Sequence, residues 1–462
     1  MSPRVRSGCV DLALALALAI VAGAQQGCVF ELDMCRADEE CGSTSLCSDG
    51  LCVERPRVEI VDNIGVDTVW TSDRVWVLKD VITVQPSVTL TIEPGTTILA
   101  EQHSALVVRS GGTLDASGTR ERPIVFSSIS PPGQRLAGDW GGVALLGQAP
   151  VNREGAYLRI RPGELEPPFG GTDSEWNCGT LRYVRIEFAG GQIQGTDYLN
   201  SLSLCGCGRG TTIDHVQLHF GGDDGLEIFG GTVDVRYIVI TRAADEAIDI
   251  DLGWVGTGQF IAVQGDAAMQ GALEVDNLQE DASALPLTDF QIFNFTFIGS
   301  LDAPTQRGIT FKAGGGGFFS HGIMMGQGTE AVDIEGDEAG ARAFADEAIV
   351  RDTVFYRIGA GGAHYFPVAG EPDETGDASG DDDGGFAEDQ YYVQPQWNNL
   401  FGEDPLLERP YDLSNPGWIP AGSSITGVDP PPAPFDPTAN YRGAFAPGSI
   451  PWTDGWTAYP ES

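Results

Sequence analysis

Between Ser201 and Glu335 one short pattern returns six times, two apolar residues with a single residue between them. The pairs are Leu202/Leu204, Leu226/Ile228, Ile248/Ile250, Leu273/Val275, Ile309/Phe311 and Val332/Ile334. Their first members lie 24, 22, 25, 36 and 23 residues apart, a short period with one longer insertion. Period-two alternation predicts strands, and the regular return predicts that each strand belongs to one coil of an all-β solenoid. Unrelated strands of a sandwich would have no reason to keep this register. Companion strands precede the pairs at Val184/Ile186/Phe188, Val216/Leu218/Phe220, Ile238/Ile240, Ile261/Val263, Phe295/Phe297 and Ile323/Met325. Two apolar strands per coil are expected to fill a narrow interior that no coil could bury alone.

Successive strand side chains alternate faces, so the residues between and after the apolar pairs form two outward columns. The first reads Ser203, Glu227, Asp249, Glu274, Thr310, Asp333, and the second Cys205, Phe229, Asp251, Asp276, Lys312, Glu335. Stacked strands are about 4.8 Å apart, and carboxylates at that distance repel by about 1 kcal/mol in water and about 3 near a protein surface. A bound cation, a raised pKa or splayed, solvated side chains would relieve that repulsion.

Upstream, Thr89-Leu90-Thr91-Ile92-Glu93-Pro94-Gly95-Thr96 and Gly138-Asp139-Trp140-Gly141-Gly142 punctuate short strands with Gly, Pro and Asp turns. With Gly179–Gly190, the segment Gly222-Asp223-Asp224-Gly225-Leu226-Glu227-Ile228 and the closing Tyr441-Arg442-Gly443-Ala444-Phe445, these resemble bacterial secreted or lipid-anchored right-handed parallel β-helix proteins of the pectin-lyase-like superfamily. The resemblance covers most of Val58 to Tyr459. It implies the fold and an extracytoplasmic address, and it carries no agreed activity. The expected organisation is a signal peptide over 1–27, a disulfide-rich spacer over 28–57, the β-helix over 58–370, an acidic Gly-rich loop over 371–394 and a Pro/Trp-rich cap over 395–462, packed across the last coil. The proline-rich stretch from Ala149 to Asn177 reads as a long loop leaving the solenoid.

Arg4 and Arg6 lead into the apolar run Leu12 to Ala22, which reads as an export signal. Ala22-Gly23-Ala24 fits ordinary signal cleavage, whereas Gly27-Cys28 resembles a lipobox end and would tether a lipidated Cys28 to the outer membrane. Cys35, Cys41, Cys47 and Cys52 then fall within eighteen residues, a density that reads in an exported chain as two disulfides with three possible connectivities. A further bridge is expected from Cys178 to Cys205 or Cys207. The formal charge of -40 disfavours nucleic acid, anionic lipid and polyuronates as partners, leaving cations, neutral glycans and surface proteins.

Candidate chemistry centres on Asp223-Asp224 and on Asp245-Glu246 one period later, beside Asp249. Paired carboxylates can act as acid and base on a glycosidic bond, which makes Asp223, Asp224, Asp245 and Asp249 the catalytic candidates. Glu227, Asp249, Asp251, Glu274 and Asp276 are the candidate ligands of a hard cation, calcium being the one their oxygens suit. Hydrolases of the resembled superfamily also carry a Gly-His-Gly histidine and an Arg-Ile-Lys triplet, and neither occurs here. His215 and His219 are expected at the surface. The reading that follows is a non-enzymatic surface or secreted β-helix with an envelope, adhesive or interaction role, a carbohydrate-active enzyme being the alternative.

Overall fold

The computed structural model describes residues 35, 41–42, 44–48, 51–161, 163, 165–194, 197–367 and 383–462. The proposed export signal, Cys28 and the first half of the acidic 371–394 loop lie outside them. The body is a parallel β-helix. A nine-stranded sheet stacks Val81–Val84, Ala105–Val108, Val143–Leu146, Leu202–Cys205, Leu226–Phe229, Glu246–Asp251, Gly271–Val275, Arg307–Phe311 and Val332–Ile334 in chain order. The register is that of the sequence repeat: Leu202 pairs with Leu226, Leu226 with Ile248, Ile248 with Leu273, Leu273 with Ile309 and Ile309 with Val332. All twelve pair residues are at most 2% exposed and belong to one continuous core.

The companion sheet corrects the expectation of two strands per coil. In the early coils Thr113–Ser117 and Ile124–Ser128 are separate strands, and both pair with the single longer strand Gly179–Glu187. Later coils keep that division inside one strand, because Tyr183, His215, Tyr237, Phe260, Asn294 and His321 each take a left-handed conformation, with φ between 48° and 62°. The register steps over them, Arg182 pairing with Asp214 and then Val184 with Val216. Each coil therefore has three faces. The left-handed residue shifts the inward positions by one, from Leu181 to Val184, which breaks the period-two signal and hid the third strand.

Two segments dress the outside. Ala156, Leu158, Ile160 and Phe169 of the 149–177 stretch fold back onto outward residues of the nine-stranded sheet, including Val107, Ala144 and Leu146. The stretch is thus a packed excursion. The closing segment, read from the sequence as a cap over 395–462 across the last coil, instead runs from about residue 404 as a strap back along the outer face of the companion sheet. Trp418, Ile425, Phe445 and Trp456 pack on Val239, Ala262, Ile298 and Ile323. Asn294 Nδ2 donates to the Ala439 and Tyr441 carbonyls (3.0 and 2.8 Å), Gln217 Nε2 to the Ala458 carbonyl (2.7 Å), and Gly133 N to the Ser462 carbonyl (2.8 Å). The last coil is closed by the helix Asp337–Phe344 together with Phe366, Phe386 and Tyr392.

Among the described residues the disulfides are Cys35–Cys47, Cys41–Cys52 and Cys178–Cys207. Cys207 faces the core, whereas Cys205, two residues earlier and across the left-handed Gly206, packs in the outer cluster as a buried free thiol. Three bridges in one chain point to an oxidising, extracytoplasmic compartment.

Candidate functional site

Parallel register brings the outward columns together as anticipated: Ser203, Glu227, Asp249, Glu274, Thr310 and Asp333 are consecutive neighbours across six strands. The column divides by charge. At its C-terminal end Lys312 Nζ contacts Glu274 Oε1 and Arg307 Nη1 contacts Glu335 Oε1, so these acids are compensated. At the other end, no Lys or Arg among the described residues forms an ion pair with Asp223, Asp224, Glu227, Asp245, Glu246 or Asp249.

There the corner Gly222–Gly225 sets Asp223 and Asp224 ahead of Leu226–Phe229, and the next coil repeats the arrangement with Asp245 and Glu246. Two triads result, Asp223/Asp224/Asp245 and Asp224/Glu227/Asp249, each with one carboxylate oxygen per residue and all three oxygens within 4.8 Å of one another. Asp224 belongs to both; its Oδ1 also accepts the Glu246 backbone N–H at 3.1 Å. Asn200 Nδ2 donates to Glu227 Oε2. Asp249 Oδ1 is buried without a hydrogen-bond partner, and so is the hydroxyl of Ser203, the residue paired with Glu227 one coil earlier.

Crowding of uncompensated carboxyls in a partly dry site favours their neutral forms. Burial first, then Asp245, raises the Asp223 carboxyl to about 6. Burial raises Asp251 to about 6 and Asp276 to about 7, and burial with the Glu274 charge raises Glu246 to about 9. Asp224, Glu227 and Asp249 are pushed well above the carboxylate range, by burial and then by the Asp249, Asp249 and Glu274 charges respectively. These groups are not freely solvated.

A cleft of about 440 Å³ opens over the triads. Asp223, Glu227 and Asn200 line it from the solenoid, Tyr157, Phe169 and Arg153 from the folded-back excursion, and Tyr198 from the adjoining loop. Tyr157 and Tyr198 are each about half exposed. Five catalytic or metal candidates, Asp223, Asp224, Glu227, Asp245 and Asp249, are gathered here, while Glu274 and Asp276 lie farther along beside Lys312. Asn200, Tyr157 and Tyr198 went unnoticed in the sequence. They come from loops outside the repeat, and the packing of the excursion has no periodic signal.

A family model for the pectate-lyase-like β-helix domain matches residues 62–364. The chain belongs to that family. No curated protein and no solved structure gives a significant match. For this pectate-lyase-like β-helix the expectation of surface histidines fails. His219 is 1% exposed, contacts Thr241 Oγ1 through Nδ1 (2.6 Å) and the Pro460 carbonyl through Nε2 (2.8 Å), and burial lowers its pKa to about 4. His215 is stacked between Tyr183 and Tyr237 (4.4 and 4.3 Å). Both lie under the strap, which the repeat alone could not reveal.

Proposed function

We propose that this pectate-lyase-like β-helix is an exported envelope or surface protein, lipid-anchored through Cys28, whose uncompensated acids hold a divalent cation of the calcium type. Its role in this reading is structural and interactive, with neutral glycans or surface proteins as partners. The observation that carries it is the pair of triads sharing Asp224, one of whose members, Asp249, has a buried Oδ1 without a hydrogen-bond partner. Hard carboxylate and amide oxygens are calcium ligands, and a divalent charge would offset the repulsion that now favours protons. Binding only to the folded state at 100 times Kd adds about 2.7 kcal/mol. The test is the melting temperature at about pH 8 in EDTA and in millimolar calcium. A rise of about 3 °C is expected for a chain of this size, and equal melting temperatures would remove the cation.

The cleft favours a second reading. Asp223, raised by burial to about 6, and Glu227, pushed upward by burial and the Asp249 charge, both face a cavity walled by tyrosines, as an acid and base pair on a neutral glycan would require. Reducing-sugar release that disappears in Asp223→Asn would establish this enzymatic reading; binding without release would leave the first.

A further inference from the structure

The cleft over the acid triads has walls that a metal ion alone does not use. Tyr157 and Tyr198, each about half exposed, face it from the excursion and from the adjoining loop. Phe169 and Phe229, with ring centroids 6.1 Å apart, line it as well. Aromatic faces of this kind pack on the C–H face of a sugar ring, and their quadrupole attracts a cation. The volume of about 440 Å³ lies within the range of small-molecule sites and suits a short saccharide better than a single ion.

The solenoid side of the cleft is negative. Asp223 and Glu227 open onto it, and no Lys or Arg among the described residues forms an ion pair with either. Two arginines stand on the excursion side and both are engaged: Arg153 Nη2 lies 2.6 Å from Glu280 Oε2, and Arg159 has a contact of its own. Glu164 and Asp197, whose side chains lie outside the described residues of the same two segments, are acids, so their charge has the sign of Asp223 and Glu227.

The spacing of the carboxylates fits an ammonium group. Three N–H···O bonds of about 2.8 Å leaving a tetrahedral nitrogen end about 4.6 Å apart. One oxygen each from Asp223, Asp224 and Asp245 lies within 4.8 Å of the other two. On the same outward face Ser203, in register with Glu227 and 0% exposed, has a hydroxyl without a hydrogen-bond partner. An ammonium borne on a sugar ring uses both features of the cleft, whereas a bare cation uses only the acids and a neutral sugar only the tyrosines.

We propose that the cleft binds an amino sugar, a saccharide unit carrying a free protonated amine, with the ammonium on Asp223 and its neighbouring carboxylates and the ring against Tyr157 and Tyr198. This deepens the glycan reading of the cleft, on which it rests, by giving the glycan a positive charge. Calcium and the ammonium draw on the same oxygens and therefore compete.

Titration calorimetry of the whole exported chain in EDTA tests it, at about pH 6.5, where both the amine and Asp223 are substantially charged. The probes are a glucosamine trisaccharide, its fully N-acetylated form and lysine amide. The free-amine trisaccharide is expected to bind at one site per chain, about tenfold or more tighter than the acetylated one. Asp223→Asn should bring the two affinities together, and Tyr198→Ala, at an exposed position, should weaken both, a melting transition in each variant confirming the fold. Millimolar calcium should weaken the amine form alone. Equal affinity of the two trisaccharides for the parent chain overturns the amine and leaves the glycan reading standing. Lysine amide binding as tightly as the amino trisaccharide overturns the saccharide, and binding of neither trisaccharide overturns both this proposal and the glycan reading.

Discussion

Replacing Asp249 by Asn perturbs the acid column at its most crowded level. Asp249 is in register with Glu227 on one side and Glu274 on the other. Lys312 already holds Glu274, so the uncompensated neighbour is Glu227. Charges about 5 Å apart repel by about 3 kcal/mol at an effective dielectric near 20 and about 1 in water-like surroundings. Asn keeps the shape and offers Nδ2 donors to the surrounding oxygens. Without metal at about pH 8, the variant should therefore be about 1–3 kcal/mol more stable than the parent chain. About 400 described residues at about 2.1 cal/mol/K each give an unfolding entropy near 0.8 kcal/mol/K, so melting should rise by about 1–4 °C.

The sign also fixes a pH dependence. Burial raises the folded-state pKa of the column acids, Asp223 and Asp251 to about 6, Asp276 to about 7 and Glu246 to about 9. Groups shifted upward contribute stability that is fully present below their unfolded values, near 4, and is lost as pH rises through the folded ones. The metal-free parent should thus melt progressively lower between about pH 5 and 9, and the advantage of Asp249→Asn should vanish near pH 4.5, where the carboxyls are neutral in both. Differential scanning calorimetry in EDTA at the two ends of that range measures it. A variant melting below the parent at pH 8 would refute the repulsion argument.

Three further outcomes follow from the packing. Gly142 has φ +132° and a Cβ there would stand 2.2 Å from the Asn200 carbonyl, so Gly142→Ala should destabilise by more than about 2 kcal/mol and, by displacing Asn200, weaken calcium binding; calorimetry and a calcium titration report the two effects. Arg442, 2% exposed, donates to the carbonyls of Asp352, Ser424, Thr426 and Asn398, so Arg442→Met should cost about 3–5 kcal/mol and expose the strap to limited proteolysis while the coils stay resistant. Cys207→Ser opens a bridge spanning 29 residues and should cost about 3 kcal/mol, read from urea unfolding.

The solenoid was legible because its apolar pairs recur with a period set by coil circumference, and parallel stacking turns that period into register. Hence the neighbours of Glu227 and Asp249 could be named from sequence alone. What escaped had no period. The third strand was masked by the left-handed residues at Tyr183 and its equivalents, which shift the alternation. The burial of Glu227, His215 and His219 depends on the 149–177 excursion and the C-terminal strap, whose docking sites lie far off in sequence: Pro460 meets His219 across 241 residues.

The most direct test of the central claim, that stacked coils assemble distant acids into a cation site, is a crystal structure grown with calcium at about pH 8. The account predicts one ion coordinated by oxygens of Asp224, Glu227 and Asp249 at about 2.3–2.6 Å. Carboxyl groups hydrogen-bonded directly to one another, with no ion between them under those conditions, would contradict it.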